Sequence, residues 1–262
     1  MMASFTSKKT NLYIFLSAVF LTNAIIAEII GVKIFSAETL LGVPPAQLHL
    51  LGDFVLDFNL TAGVVIWPFV FITSDIINEY YGIKGVKQIS YITAGFIAYS
   101  FLIIYFVTTL PPAQFWLDVN KTDAVGNPVN INNAFAMIFR QGLGIIIGSI
   151  TAFMVGQLLD ATVFQSLKRI TGSRKIWLRA TGSTLVSQLI DSFVVLTIAF
   201  YIFGNWSFSQ VVAVAIVNYI YKFFIAVVLT PVLYVAHFLI DNYLGKEHAK
   251  ELANESSMSS FM

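Results

Sequence analysis

The sequence predicts an all-α integral membrane protein with six transmembrane helices and both termini in the cytoplasm. Three observations carry that expectation: composition, a series of long apolar stretches, and a one-sided distribution of Lys and Arg. Of 262 residues, 57% are hydrophobic and only 11% are charged, against roughly 25% charged in soluble domains. A helix needs roughly 20 mostly apolar residues to cross the hydrocarbon core. Such stretches fall at 12–33, 60–80, 87–109, 138–165, 180–203 and 211–239. Residues 1–245 are expected to form one transmembrane domain. Residues 246–262, polar and rich in small side chains, read as a frayed cytoplasmic tail.

The first stretch follows Lys8 and Lys9 as a signal peptide would. It is too long for one, carries Glu28 in its second half and lacks a small-residue cleavage site, so it is read as a retained span. The second and sixth contain Pro68 and Pro231, which interrupt helices and free carbonyls toward a cavity. The fourth carries Gly144, Gly148, Ala152 and Gly156, a small residue every four. That spacing makes a close-packing face, suited to a neighbour in the same chain or to a homodimer.

Short loops rich in Lys and Arg stay in the cytoplasm. With the N-terminus inside, that side receives Lys8, Lys9, Lys84, Lys87, Lys168, Arg169, Arg174, Lys175, Arg179, Lys246 and Lys250. The opposite loops, 34–59, 110–135 and 204–210, hold only Lys121, with Lys33 and Arg140 at the outer ends of spans. Their acids are Glu38, Asp53, Asp57, Asp118 and Asp123.

Several classes of chemistry are excluded or disfavoured. There are no cysteines, so no disulfide, thiolate metal site or Cys nucleophile exists. His49, His237 and His248 are too widely spaced for the usual helical zinc pattern; no metal and no cofactor is expected. Phosphate-loop, G-x-S-x-G and HExxH motifs are absent. A net charge of +1 gives no pull toward nucleic acid.

What needs explaining is the set of polar residues inside the spans, because a charge at the bilayer centre costs about 2.5–3.5 kcal/mol on insertion scales. Gln157 and Asp160 in the fourth span are repeated in the fifth as Gln188 and Asp191. Glu28 lies in the first span, and Asn218 and Lys222 share a face of the sixth. Asp191 and Lys222 each lie about 11 residues into their spans, so they reach similar depths, about 16 Å in, and suit an ion pair. A cluster this dense reads as the lining of a polar substrate site. The alternative reading is helix packing by structural ion pairs. Asp75, Asn78 and Glu79 share one face at the end of the second span. There Asp75 and Glu79 are expected partly solvated, fixing the turn at YYGIKG, meeting Lys84 and Lys87, or gating.

The blocks NAIIAEIIGVKIF (23–35), FITSDIINEYYGIKGV (71–86), GQLLDATVFQSLK (156–168), RATGSTLVSQLIDSFV (179–194) and YKFFIAVVLTPVLY (221–234) carry a further signal. In them the chain resembles the queuosine precursor transporter family, formerly grouped with vitamin uptake proteins. The resemblance covers every span but the third, and loops 36–57 and 110–133 are longer than is usual there. It implies a multi-pass protein of the inner (plasma) membrane that imports 7-cyano- or 7-aminomethyl-7-deazaguanine for tRNA modification. Glu28, Gln157, Asp160, Gln188, Asp191, Asn218 and Lys222 are then expected to bind substrate. Asn23, Asp75, Asn78 and Glu79 are expected in gating or structural roles. The implied partners are the small base and the bilayer, with no direct nucleic acid. Two other readings stay open from the residues: a substrate-binding subunit of an ATP-driven vitamin importer, and an intramembrane aspartyl enzyme using Asp160 and Asp191.

Overall fold

In the hydrocarbon core no water can satisfy backbone N–H and C=O groups, so an apolar chain closes its own hydrogen bonds as helix. The structure, a computed structural model, describes residues 2–49, 55–171 and 175–258, and its long apolar segments follow that rule. Asp53 and Arg174, two of the charges used for orientation, lie outside the described residues.

The helices are α1 (Met2–Ile30), α2 (Ala37–Leu41), α3 (Trp67–Thr109), α4 (Gln114–Val119), α5 (Ile131–Phe139), α6 (Leu143–Thr171), α7 (Ile176–Leu196), α8 (Phe208–Val228), α9 (Thr230–Leu244) and α10 (Lys246–Met258). Among the described residues, five helical segments are long and apolar enough to cross a membrane: Ser7–Ile30, Trp67–Thr109, Ile131–Thr171, Ile176–Ile202 and Phe208–Val228. The predicted second and third spans lie together in α3, and the predicted sixth is divided between α8 and α9.

Helix α3 is broken at Gly82, whose φ of 71° and ψ of −176° no other residue adopts without strain. Gly82→Ala is therefore expected to destabilise the protein by about 1–3 kcal/mol, read as a lower unfolding temperature in detergent. Helix α6 lies along α7 through the small-residue face predicted from sequence. A Cβ on Gly144 would run into that of Phe203, and one on Gly148 would lie 3.1 Å from the Val195 carbonyl oxygen. The face is thus used within the chain.

The segment between α1 and α3 contains two antiparallel pairs, β1 (Ile34–Ser36) with β4 (Asn59–Thr61), and β2 (Leu48–His49) with β3 (Val55–Leu56). Glu38 ties this segment together. Its carboxylate accepts the Phe58 N–H at 2.5 Å, the Ser36 hydroxyl at 3.0 Å and the Ala46 N–H at 3.4 Å. Those donors hold the Glu38 carboxyl below its ordinary value of 4.5, the Phe58 N–H most of all. Because the shift is downward, the stabilisation is present above pH 4.5 and is lost as pH falls through the lowered value. Proteolysis of segment 34–61 is expected to accelerate only below pH 4.5 in the native chain, and to be fast at every pH in Glu38→Gln.

The reading of 246–262 as frayed is corrected over Lys246–Met258. Ala249, Leu252 and Ser256 are buried, and their spacing of three and four places them on one face of α10. That face packs on α3; residues 259–262 lie outside the described residues. Many large side chains on the long helices instead point outward, including Phe15, Phe96, Phe106, Phe223 and Phe224, as lipid-facing surfaces require.

Candidate functional site

Five elements of the bundle leave a cavity of about 500 Å³ beside the two hairpins. Helix α1 supplies Glu28, α6 supplies Ser149 and Gln157, and α7 supplies Gln188 and Asp191; Asn218, Tyr221 and Lys222 come from α8. Trp67 and Phe71 of α3 add aromatic wall, with ring centroids 6.0 Å apart and planes at 25°. Ile34, Val55, Leu56 and Asp57 border it from the hairpin side. The volume falls in the range of small-molecule sites, about 300–1,000 Å³.

Six of the seven residues expected to bind substrate line this one cavity: Glu28, Gln157, Gln188, Asp191, Asn218 and Lys222. Asp160 does not. Helices α6 and α7 are antiparallel, so their repeated Gln and Asp do not present themselves alike. A Cβ on Gly156 would lie 3.6 Å from that of Asp191, whereas Asp160 accepts the Ser187 hydroxyl at 3.1 Å. Each carboxylate thus faces a small residue of the other helix, but only Asp191 reaches the cavity. The two aspartates do not form a catalytic pair: Asp160 binds Ser187, and Asp191 binds Lys222 Nζ at 2.5 Å.

The hydrogen bonds within the cavity are incomplete. The Glu28 carboxylate accepts the Ser149 hydroxyl at 2.5 Å and has no cation paired with it among the described residues. Gln157 accepts the Ser74 hydroxyl at 2.8 Å, which leaves its amide NH₂ without a partner. Both amide atoms of Gln188 are unpartnered although the residue is only 2% exposed. A buried polar atom left unmade costs about 1–3 kcal/mol. Three such atoms at one cavity are what a polar ligand would satisfy.

Asp75 and Glu79 are buried rather than partly solvated, and Asn78 is buried beside them. Glu79 meets neither Lys84 nor Lys87; Arg179 Nη2 lies 2.8 Å from Oε1 and Lys168 Nζ 3.3 Å from Oε2. Lys168 also donates to the Glu79 carbonyl at 2.6 Å and to Ser256 Oγ at 2.8 Å, which anchors α10. Asn78 donates to the Ala161 carbonyl at 3.1 Å and accepts Gln165 Nε2 at 2.7 Å. These bonds tie α3, α6, α7 and α10 at one end. Asn23 donates to the Val19 carbonyl at 2.9 Å, within α1, and does not line the cavity.

Sequence reasoning missed Ser149, Trp67, Phe71 and Tyr221. The aromatics were hidden among 24 phenylalanines, 11 tyrosines and 4 tryptophans with no local signal. It also missed the π-helical turn Thr197–Ile202 after α7, which contributes Ala199 and Phe200 to the wall. Such turns often occur at functional sites.

The family model described as "Putative vitamin uptake transporter" matches residues 61–236. The chain is 30% identical over 188 residues to a "Probable queuosine precursor transporter" of Bacillus subtilis (strain 168), covering 71% of this chain and 76% of the relative. A protein of the same description from Haemophilus influenzae is 26% identical over 183 residues, 70% of this chain and 69% of that one. The "Queuosine precursor transporter" of Escherichia coli (strain K12) is 26% identical over 180 residues, 66% of this chain and 71% of that one. No solved structure matches the chain. By its matched length and its apolar helices, the chain belongs to this family of queuosine precursor transporters, and is a multi-pass membrane transporter rather than an enzyme.

Proposed function

We propose that this protein imports queuosine precursors, 7-deazaguanine bases such as the 7-cyano and 7-aminomethyl forms, and binds them in the 500 Å³ cavity. The observation that carries the reading is the unmade polar capacity there: the Glu28 carboxylate with no paired cation among the described residues, the unpartnered NH₂ of Gln157, and both unpartnered amide atoms of Gln188. A guanine-like edge presents N1–H and a 2-amino group side by side. A carboxylate accepts both at once, in a charge-assisted, bidentate pair. Glu28 is assigned that task because Asp191 is already engaged by Lys222. Gln157 and Gln188 then serve ring acceptors and donors, with Asn218 and Lys222 on the far edge. Trp67, Phe71 and Tyr221 offer faces to the flat base. Asp160 supports α7 through Ser187.

In this reading the chain crosses the plasma (inner) membrane six times with both termini in the cytoplasm. The break at Gly82 makes α3 two crossings. Its ends support that: Tyr13 binds the Gly85 carbonyl at 3.0 Å, while Thr108 meets Arg140 at 2.9 Å and Gln141 binds the Glu28 carbonyl. The Lys-rich loops favour α10 inside, and the hairpins then face outward. Residues 1–245 form the transmembrane unit.

Equilibrium binding to the purified protein tests the assignment. 7-Cyano-7-deazaguanine is expected to bind, and its analogue lacking the 2-amino group to bind at least about 100-fold more weakly, because a buried acceptor is left unpaired. Equal binding of the two would sink it. The ion pair gives a further expected result. Asp191→Asn leaves the part-buried Lys222 charge without its partner, which is expected to destabilise the protein by about 1.5–3 kcal/mol. The double change Asp191→Asn with Lys222→Gln is expected to regain stability in a thermal melt without regaining uptake.

A further inference from the structure

Resting on the base-importer reading, we propose that a second pocket, lined in part by Asp75 and reached past Gln188, is the exit subsite for the same guanine-like edge. This pocket holds about 70 Å³ and is lined by Asp75, Thr184, Gln188 and Lys222 among apolar side chains. Its position follows from the helices it shares with the larger cavity. Along α3 the large cavity uses Trp67 and Phe71, and the small one continues to Ile72 and Asp75. Along α8 the large one uses Val214, Asn218, Tyr221 and Lys222, and the small one continues to Ile225 and Ala226. On α7, which runs the other way, the order is Asp191, Gln188, then Thr184 and Thr181. Three helices thus place the small pocket directly beyond the large one, toward α10.

Two buried polar side chains point to a ligand there. Asp75 is 4% exposed and its Oδ1 has no hydrogen-bond partner. Gln188 belongs to both pockets and neither of its amide atoms is partnered. Asp75 thus repeats at the inner station what Glu28 offers at the outer one, a carboxylate for two adjacent N–H donors. Gln188 stands where the base passes from one to the other, and Trp67, Phe71 and Tyr221 form a wall common to both. At 70 Å³ the inner pocket is too small for a bicyclic base, since ligand sites run about 300–1,000 Å³. Occupation requires α8 to part from α3 and α7. Thr230, at the break between α8 and α9, has its Oγ1 3.3 Å from Thr181 Oγ1 of α7, a contact that such a motion would have to release.

The test compares equilibrium binding with liposome uptake of 7-cyano-7-deazaguanine for the native chain, Asp75→Asn and Ala226→Phe. The second variant narrows the inner pocket without touching its polar groups. Both variants are expected to bind within about threefold of native and to take up base at least about tenfold more slowly, since only a step after binding is changed. Native-like uptake in both variants overturns the exit subsite alone. Loss of binding in both also overturns it, because the inner pocket would then be part of the first site. If the native protein binds no 7-deazaguanine, the import reading fails and this inference with it.

Discussion

Glu28→Gln is expected to lower uptake of a 7-deazaguanine by about 30- to 150-fold, corresponding to about 2–3 kcal/mol for a lost charge-assisted hydrogen bond. The carboxamide keeps one oxygen for the Ser149 hydroxyl, which Glu28 now accepts at 2.5 Å. It cannot accept two adjacent N–H groups, because its second atom is itself a donor. The fold should therefore survive while the substrate edge meets a mismatched donor. The measurement is initial uptake rate in liposomes beside a thermal melt of the same preparation. A variant with native uptake would place the donor edge elsewhere, with Asp191 the next candidate.

The second large effect is on stability. Arg179→Ala is expected to destabilise the protein by about 3–5 kcal/mol, since it removes one partner of a buried ion cluster and leaves Glu79 underpaired. Arg179 is 1% exposed, donates to Glu79 at 2.8 Å and has its guanidinium 5.7 Å from the centre of the Phe164 ring. Replacing the pair together, Arg179→Leu with Glu79→Gln, should recover part of the loss, because both charges of the pair are removed with their desolvation penalties and Lys168 alone stays charged. Lys168 keeps the Glu79 carbonyl and Ser256 in either case. A melt of the two variants in detergent decides the point: equal losses would mean that the guanidinium acts by packing on Phe164.

Depth was legible in the sequence, and lateral neighbourhood was not. Counting residues from span ends placed Asp191 and Lys222 at one level, and the structure pairs them at 2.5 Å. The same count could not say which helix lies beside which. Lys168 and Arg179 were therefore only counted among the cytoplasmic charges, and Glu79 was left between fixing a turn, meeting Lys84 and Lys87, and gating. The convergence of α3, α6 and α7 buries all three in one cluster instead. The repeated Gln and Asp placed both Asp160 and Asp191 among the expected substrate ligands. A repeat in two antiparallel helices puts corresponding residues at different places, and Asp160 falls against Ser187. The amphipathic spacing in α10 was present in Ala249, Leu252 and Ser256, but its polar composition outweighed it. Cavity aromatics carry no pattern distinguishing them from lipid-facing ones, so Trp67 and Tyr221 emerge only from the assembled bundle.

Uptake of labelled 7-cyano-7-deazaguanine into liposomes containing only this protein separates self-sufficient import from mere binding. Saturable uptake is expected, competed by the aminomethyl base, unaffected by ATP, and lower by at least about 30-fold in Glu28→Gln. Folded protein that binds the base yet takes none up without an ATP-hydrolysing partner would contradict it.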